Sequence, residues 1–418
     1  NNPSSFDNSL KKRNLKPLSK NIIKIHEEYL NFLNEKQDCQ EKKNTLSKLF
    51  SKPKSNLEEI KKQVQDLKKK IDSLNKLSEE KLEELNEILL NLPNTVSDET
   101  PDGKSEDDNT ILKVEGKKKS YSFKPKDHLE LAESLDLLDY EKAIKISGSR
   151  FSILKNNLAL LHRALVNLML DNNTIEFKFN EIVVPELVKM SALIGTGQLP
   201  KFEEDLFKTN FNDLYLIPTA EVPLVNINRD SIIDKKTLPL RYTSYTNCFR
   251  SEAGASGKDT KGLIREHQFG KVELVTISDP ANSKDEFQKM ISCVENILNK
   301  LELPYRIIEL CSADLGFSAS YTQDFEIWMP GQKKYREVSS CSNCKDFQSR
   351  RMKMRIKDKE TDDIYYPHTL NCSSLAVGRV LVAILENFQN SDGSIEIPSA
   401  LNKYTNGLKK ICYNDQKV

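Results

Sequence analysis

The fold is decided by residues 246–273, which read TNCFRSEAGASGKDTKGLIREHQFGKVE. Side chains alternate along extended strands, so two strands joined by the polar, glycine-bearing loop would place Arg250, Glu252, Phe269 and Glu273 on one face. An arginine suits a phosphate, an aromatic face suits a purine, and carboxylates suit an amino group or a metal ion. The pattern therefore predicts a site for a nucleotide together with an amino compound. A salt-bridged surface hairpin is the alternative that the charge pattern leaves open.

Length and charge bound the organisation of the chain. Its 418 residues exceed the usual size of one domain, so we expect at least two domains. The 63 basic and 62 acidic residues leave a net charge of +1, so any basic surface for nucleic acid must be local. The sequence has neither a run of eighteen apolar residues nor an apolar segment at its start that is typical of a signal peptide, and we expect no membrane partner.

A two-helix coiled coil is predicted between about Lys20 and Leu92. Two runs of apolar residues recur at intervals of three and four, separated by a turn-like break at 51–56 and, in the second run, by a polar interruption at Ser78 and Lys81. The runs consist of Ile22, Ile25, Tyr29, Phe32, Cys39, Leu46 and Phe50, and of Leu57, Ile60, Val64, Leu67, Ile71, Leu74, Leu85, Ile88 and Leu92. Because the joining loop is short, the arms should run antiparallel, each about 45–50 Å long at 1.5 Å per residue.

The predicted hairpin also carries lysine clusters at 42–43, 61–62 and 68–70, outside the apolar seam. Such a basic face suits the phosphates of a nucleic acid. By pattern alone, a dimerising coiled coil or a stalk is the favoured interpretation of this segment.

The remainder of the chain mixes helix and strand patterns. A linker rich in Pro, Asn, Asp, Ser and Gly spans 91–109, and neither a Rossmann glycine motif nor a Walker P-loop follows it. The nucleotide is therefore not expected on a parallel α/β sheet. Predicted helices span 151–170 and 376–388, and predicted strands span 182–184, 325–329 and 335–340, with a further short strand within 111–126.

Cys341 and Cys344 form a CxxC pair, which could be half of a zinc site. Only His368 and Cys372 could complete four ligands, and no second CxxC lies nearby. We expect two packed thiols rather than a metal site or a disulfide framework.

Several segments, in the same order along the chain as the family's motifs, resemble the seryl-tRNA synthetases, a family of the class II aminoacyl-tRNA synthetases. Residues 246–273 resemble motif 2, Thr219-Ala220-Glu221 resembles the serine-binding loop, and 371–387 resembles motif 3. The segment 195–202 and a motif 1 proline, Pro185 after Val183-Val184, also match. The similarity runs almost continuously from about Asp127 to the C-terminus.

The resemblance implies an α+β fold, with an antiparallel β-sheet flanked by helices and preceded by an antiparallel two-helix coiled coil. It divides the chain into an N-terminal tRNA-binding domain with linker, residues 1–110, and a catalytic domain, residues 111–418. It also implies a homodimer with the motif 1 segment at the subunit interface.

The resemblance further assigns roles to matching residues. The residues implied in ATP binding are Arg250, Ser251, Glu252, Arg265, Phe269, Glu337, Val338, Ser339, Ser340 and Arg379. The residues implied in serine binding are Thr219, Ala220, Glu221, Glu273 and Ser373. Glu337 and Ser340 should hold Mg²⁺, and Arg250, Glu337 and Arg379 should be catalytic. No covalent nucleophile is required, because the attacking carboxylate of serine is already ionised.

One departure from the family pattern lies in motif 3. The bacterial wording begins NGSG, whereas this chain has Asn371-Cys372-Ser373-Ser374, so two glycines are replaced by small residues with a Cβ atom. This replacement puts a close approach of the substrate at Cys372 and Ser374 in question.

The implied function is the ATP-dependent attachment of L-serine to tRNA(Ser) through seryl-adenylate, with release of AMP and diphosphate, and with tRNA(Sec) as a second acceptor where it exists. Two alternatives remain: a paralogue that activates an amino acid for a carrier protein, and an inactive RNA-binding scaffold. The long hairpin argues against the first, and the presence of Arg250, Glu252, Glu337 and Arg379 argues against the second. The bacterial wording predicts the cytoplasm of a bacterium, or a mitochondrial matrix or plastid stroma. The opening at Asn1 instead of methionine favours a trimmed, imported form.

Overall fold

The computed structural model describes residues 2–49, 57–254 and 262–413, with the backbone alone for Leu57. The chain divides into two compact units, Asn1–Leu92 and Pro93–Val418. Phe50 and the predicted turn at 51–56 lie outside the described residues, as does most of the predicted loop of motif 2. The domain boundary placed between residues 110 and 111 stays a prediction.

The first unit consists of three helices, α1 (Pro3–Lys12), α2 (Ser19–Leu49) and α3 (Leu57–Leu90). The start of α2 is held by the carboxylate of Asp7, which accepts hydrogen bonds from the backbone N–H groups of Leu18 and Ser19, both at 3.0 Å. Contacts with Ser19 lower the pKa of Asp7. This tie satisfies donors that a helix N-terminus leaves without partners.

Helices α2 and α3 run antiparallel, as predicted. Lys81 contacts Glu28 at 2.9 Å, and Lys70 contacts Glu35 at 3.7 Å, so partners further along α2 lie earlier along α3. At 1.5 Å per residue, the 31 residues of α2 and the 34 residues of α3 span about 46 and 51 Å. These lengths match the predicted arms.

The seam between the two helices follows the predicted register. Ile25 and Cys39 of α2 and Ile60, Leu74 and Leu85 of α3 are all less than 10 % exposed. The predicted interruption of this seam is packed as well: the Ser78 side chain is buried at 3 % exposure and donates to the carbonyl of Asn75 at 2.8 Å.

An eight-stranded sheet forms the centre of the second unit, in the order β1-β8-β9-β10-β13-β7-β6-β2. All of its neighbouring pairs are antiparallel except β2 with β6. Its strands are β1 (Thr110–Glu115), β2 (Asn180–Glu181), β6 (Leu240–Phe249), β7 (Gln268–Ser278), β8 (Tyr305–Glu309), β9 (Tyr321–Met329), β10 (Lys334–Asn343) and β13 (His368–Ala376). This architecture confirms the predicted fold class.

Helices cover one face of this sheet and form the main core with it. Buried residues of α6, α9 and α11 pack together with Val272, Leu274, Phe325 and Ile327 of the sheet. The helices of the unit are α4 (His128–Ser134), α5 (Tyr140–Ser147), α6 (Asn156–Asp171), α7 (Met190–Thr196), α8 (Glu221–Asn226), α9 (Ser283–Lys300), α10 (Phe347–Arg351) and α11 (Val377–Asn387), with a π-helical turn at Asn172–Glu176. On the opposite face, Val275 and Ile277 of β7 pack with Ala220, Leu224 and Val225 in a second, smaller core.

Short strands complete the unit. They are β3 (Leu187–Lys189), β4 (Leu214–Leu216), β5 (Ile232–Asp234), β11 (Arg355–Lys357), β12 (Ile364–Tyr365), β14 (Ile395–Glu396) and β15 (Lys410–Ile411). The segment after Leu92 is hydrogen-bonded to this unit: the side-chain amide of Asn94 donates to the carbonyls of Ser318 and Cys344 at 2.9 and 2.8 Å.

The predicted strand at 182–184 is wrong in position. Strand β2 covers Asn180–Glu181, and pairing with β6 ends with the bond from the N–H of Ile182 to the carbonyl of Thr243 at 2.9 Å. Pro185 follows three residues after Ile182 and cannot donate a hydrogen bond to a sheet, so the pattern of apolar residues predicted too long a strand.

Candidate active site

A cavity of about 530 Å³ lies against the face of the sheet opposite to α6, α9 and α11, and adjoins a recess of about 110 Å³. Twelve of the residues predicted for ATP, serine or Mg²⁺ line one or both of these spaces: Thr219, Glu221, Arg250, Glu252, Arg265, Phe269, Glu273, Glu337, Val338, Ser340, Ser373 and Arg379. They come from chain segments up to 160 residues apart, so the fold rather than local sequence brings them together.

The register of β6 and β7 explains how the key stretch builds one wall. Thr246 pairs with Lys271, and Cys248 pairs with Phe269. Directly opposed residues share a face, so the side chains of Arg250, Phe269 and Lys271 line the recess beside one another. This arrangement is the one that strand alternation predicted.

Two β-bulges shape the adjoining part of the same sheet. The register shifts between Glu337 and Ser339 where β10 pairs with β9, and between Ser373 and Leu375 where β13 pairs with β7. A bulge bends its strand and re-aims the side chains next to it. Glu337 and Ser373 both reach the cavity at these shifts.

Arg250 lies where the two spaces meet. Its Nε donates to the carbonyl of Pro218 at 3.3 Å, and its guanidinium carbon is 5.3 Å from the centre of the Phe269 ring. Its backbone is fixed by hydrogen bonds with His267 at 2.9 and 3.0 Å. A guanidinium at this junction can bind a phosphate through two parallel hydrogen bonds.

Glu252 and Arg265 form an ion pair across the ends of motif 2. Glu252 adopts φ of +53°, a left-handed conformation that side chains other than glycine rarely take. Strain of this kind accumulates at functional sites. The loop re-enters at Gly262, where a Cβ would lie 2.4 Å from Nε2 of His128 and where φ is +91°.

Arg379, at the start of α11, closes the recess. Its Nη1 donates to the carbonyl of Glu337 at 2.7 Å and lies 3.7 Å from the Glu337 carboxylate, and its Nε donates to the carbonyl of Ile264 at 3.2 Å. The arginine therefore links motif 3 to β10 and to the strand entry of motif 2.

Two buried carboxylates and one buried lysine occupy the inner end of the cavity. Nζ of Lys271 lies 2.6 Å from Oε2 of Glu273 and donates to Oγ1 of Thr219 at 2.8 Å. Glu221 accepts from the side-chain amide of Gln348 at 2.7 Å. Burial raises the pKa of Glu221, and the charge of Glu273 raises it further. The arrangement can hold a small group that carries a positive charge.

Glu337 and Ser340 project from β10 into the same cavity. Asp324 of β9 is the sheet partner of Ser340 and is bonded to its side chain, while Oδ1 of Asp324 has no hydrogen-bond partner among the described residues. Burial and the charge of Glu337 raise the pKa of Asp324. Carboxylates and a hydroxyl form a donor set that suits Mg²⁺.

Three predicted residues do not line the cavity. Ser251 donates to the carbonyl of Glu204, Ser339 is 1 % exposed and donates to the carbonyl of Ser373, and Ala220 is packed in a separate apolar cluster. They lie next to residues that do line it, so the residues matched to the family include positions whose side chains do not reach the cavity.

The two side chains that replace glycines in motif 3 point away from the cavity. Sγ of Cys372 lies 3.5 Å from Oγ of Ser339, and Oγ of Ser374 donates to Oδ1 of Asn173 at 3.1 Å. Both side chains are fully buried, so the added atoms extend beneath the sheet and leave the substrate side open.

Lys271, Gln348 and Glu266 are not among the residues predicted from the sequence. Lys271 lies between Phe269 and Glu273 on the same alternating face, so strand periodicity could have identified it. Gln348 reaches Glu221 from α10, and no local pattern signals this contact. Glu266 is 7 % exposed beside the recess, and burial raises its pKa to about 7.

The structure bears on two further questions: whether the CxxC pair belongs to a metal site, and whether a helix could span a membrane. Cys341 and Cys344 are buried, and the described parts of the chain contain no group of three or more His, Cys, Asp or Glu residues placed to hold a metal ion. Across the same residues, no helix combines the length and the apolarity needed to cross a bilayer.

Comparisons with known proteins agree with this geometry. Residues 201–388 match the model of the tRNA synthetase class II core domain (G, H, P, S and T), and residues 1–96 match that of the seryl-tRNA synthetase N-terminal domain. The chain is 45 % identical over 415 residues to a serine–tRNA ligase of Brucella canis, covering 98 % of this chain and 97 % of the relative.

Solved structures show the same similarity. Seryl-tRNA synthetase from Pyrococcus horikoshii, complexed with ATP, superposes with a TM-score of 0.91 at 37 % identity over 98 % of this chain and 97 % of that chain. Cytoplasmic serine–tRNA ligase from Naegleria fowleri, in complex with AMP, has a TM-score of 0.86 at 28 % identity over 98 % and 95 % of the two chains.

Proposed function

The chain belongs to the seryl-tRNA synthetase family and is an enzyme that attaches serine to tRNA with ATP, and we propose that this reaction takes place in the cavity lined by Arg250, Glu221 and Glu337. The observation that carries the proposal is the charge layout of this cavity. A guanidinium lies where the cavity meets the recess, and paired carboxylates lie at the inner end. An amino acid bound between them would direct its carboxylate toward the arginine.

The adenine of ATP is proposed to bind in the recess between Phe269 and Arg379. These two side chains line the 110 Å³ space together with Glu252 and Val338. Aromatic and guanidinium faces both stack on bases, which favours a purine between them. The guanidinium of Arg250 now lies over Phe269, so binding of the base requires it to turn toward the phosphates.

Mg²⁺ is proposed to bind Glu337 and Ser340, with Asp324 behind them. The Ser340 hydroxyl is bonded to the buried Asp324 carboxylate, and this contact orients its remaining lone pairs. The ion, when bound, would neutralise phosphate charge. The protein's own part is to fix these oxygens through the β10 bulge.

The serine ammonium is proposed to contact Glu221 and Glu273, with Thr219 and Ser373 beside it. An oxygen of the serine carboxylate then forms a bond to the α-phosphorus of ATP, the bond to the β-phosphate oxygen breaks, and diphosphate leaves. Arg250 would stabilise the charge that develops on the α-phosphate. In the second step a hydroxyl of the terminal tRNA adenosine attacks the seryl carbonyl, and AMP leaves.

Two assays test this proposal. Serine-dependent exchange of labelled pyrophosphate into ATP should occur with the purified chain, and an inactive scaffold would show none. Charging of purified tRNA(Ser) with labelled serine should follow, whereas a paralogue that serves a carrier protein would exchange pyrophosphate and leave the tRNA uncharged.

We also propose that the chain is a homodimer joined through the motif 1 segment. Val183 is 93 % exposed, and Ile175 and Leu187 are 60 % and 42 % exposed on either side of it, which is an unusual amount of apolar surface for one short segment. A second copy would cover it, in an interface of over about 2,000 Å². Sedimentation as a monomer at micromolar concentration would refute the dimer.

The proposed setting is bacterial-type translation, in the cytoplasm of a bacterium or in the matrix or stroma of an organelle. The support is the identity to the Brucella relatives, which extends over the whole hairpin as well as the catalytic part. Charging of bacterial compared with eukaryotic cytosolic tRNA(Ser) by the same preparation tests this assignment.

A further inference from the structure

Lys271 is a buried cation in the inner end of the cavity. It is 6 % exposed on β7 and contacts Glu273 at 2.6 Å and Thr219 at 2.8 Å. A buried lysine is costly unless it is paired, and both of its partners belong to the proposed serine site. The position of Lys271 therefore indicates a role in that site.

Glu221, Glu273 and Lys271 together set the net charge at this end of the cavity. Glu221 is 8 % exposed and Glu273 is 2 % exposed, and two such carboxylates would repel each other and favour protonation without a cation between them. With Lys271 present, the three groups leave a single negative charge. One ammonium group neutralises that charge.

The hydrogen bonds at Thr219 also have a fixed direction. Oγ1 of Thr219 accepts from Nζ of Lys271 at 2.8 Å and from the backbone N–H of Glu221 at 3.2 Å. A hydroxyl has two acceptor lone pairs and one proton, so these contacts use both lone pairs. The proton of Thr219 is left to donate to an oxygen of the ligand.

We propose that Lys271 is a positioning residue that sets the net charge of the serine site to match one ammonium group and fixes Thr219 as a hydrogen-bond donor. This inference rests on the proposed function of the cavity. Lys271 acts through Glu221, Glu273 and Thr219, and it determines which charge the site accepts.

The titration of Glu221 supports this role. Burial and Glu273 raise the pKa of Glu221, whereas Lys271 and the hydrogen bond from Gln348 lower it. The other titratable or charged groups that face this cluster include Arg250, Cys248 and Cys341, and burial raises the pKa of both thiols. Removal of the lysine charge would therefore raise the pKa of Glu221 further.

The test compares K271M, E221Q and the double variant K271M/E221Q with the wild type in pyrophosphate exchange. Methionine keeps the length and apolar stem of the lysine side chain. E221Q alone leaves no net charge and should raise the serine KM at least about tenfold, equivalent to about 1.4 kcal/mol. The double variant restores one negative charge and should bind serine several-fold better than E221Q.

As the solution is acidified, the serine KM of K271M should begin to rise at a higher pH than the serine KM of the wild type. K271R keeps the positive charge and should keep the wild-type pH profile. Additive losses in the double variant, or an unshifted pH profile in K271M, would overturn the role of Lys271. Absence of serine-dependent exchange in the wild type would instead overturn the proposed function, so the two failures are distinguishable.

Discussion

At the scale of single residues, Arg250 should carry most of the adenylation step. Arg250→Ala removes the guanidinium at the meeting point of the cavity and the recess, and we expect pyrophosphate exchange to fall roughly 10²–10³-fold because the developing phosphate charge loses its donor. Arg250→Lys keeps the charge without the planar fork and should be intermediate. The matched control is Arg241→Lys on β6, the strand that leads to Arg250, where Arg241 pairs with Glu286 at 2.6 Å outside the cavity. A loss under about tenfold in Arg250→Ala would contradict the assignment.

Glu266 provides a stability prediction at the same scale. Burial raises its pKa to about 7 from the ordinary value of 4.5, so the folded state binds more protons than the unfolded state between these two pH values. The free energy of unfolding should therefore fall as pH rises through this window, by at most about 3 kcal/mol. Glu266→Gln stays neutral and should lack this fall, whereas the exposed Glu302→Gln should keep it. Urea unfolding of the wild type and the two variants at pH 5 and pH 8 measures this change in the free energy of unfolding. An equal change in Glu266→Gln and in the wild type would refute the prediction.

Strand alternation predicted the site residues that lie on one face of β6 and β7, because the period of two is a property of the local backbone. It gave Phe269 and Glu273 and could have given Lys271 between them. Gln348 and Asp324 act through contacts with Glu221 and Ser340 from other elements, and sheet register decides which residues meet. The sequence of any one segment does not show which residues of other elements it will contact.

At the scale of elements, the hairpin was predictable because a coiled-coil seam has a strict period, while β2 was not. Two residues of parallel pairing are too few to leave a pattern, and the apolar residues after β2 include Val183, which is exposed. Exposed apolar residues are the natural result where a surface awaits a partner. The same residue types therefore pointed to a strand where the chain carries the exposed apolar segment that we propose as the subunit interface.

The seam of α2 and α3 yields an element-scale prediction. Leu74 is 5 % exposed within it, and Leu74→Ala should destabilise the hairpin by on the order of 2 kcal/mol through lost burial and a residual cavity. Leu77→Ala is the matched control on the same helix, where the side chain is 38 % exposed. Hydrogen exchange of the α3 amides should accelerate in the first variant and not in the second. Equal exchange in both variants would show that the seam is not what holds the hairpin.

At the scale of the whole molecule, the two compact units suggest a division of labour. Every residue that lines the cavity lies between Gly197 and Arg379, within the second unit. The lysine clusters at 42–43, 61–62 and 68–70 lie on the hairpin, and among the described side chains all of them except Lys43 are exposed. We therefore propose that activation belongs to the second unit and that the hairpin binds tRNA, by phosphate contacts that position an arm of the tRNA.

Deletion of residues 36–77, closed by a short turn, tests this division. The deletion removes all three lysine clusters but keeps Ile25 and Leu85 of the seam, so the shortened arms can still pair. Serine-dependent pyrophosphate exchange should stay near the wild-type rate, and charging of tRNA should collapse, with a weaker dependence on salt in the activity that remains. The control is the full-length hairpin with the seven clustered lysines changed to glutamine. It should keep the arm but lose affinity and salt dependence together, because phosphate contacts supply that dependence. Charging at the wild-type rate by the shortened enzyme, or loss of its adenylate formation, would show that recognition and activation are not divided between the two units.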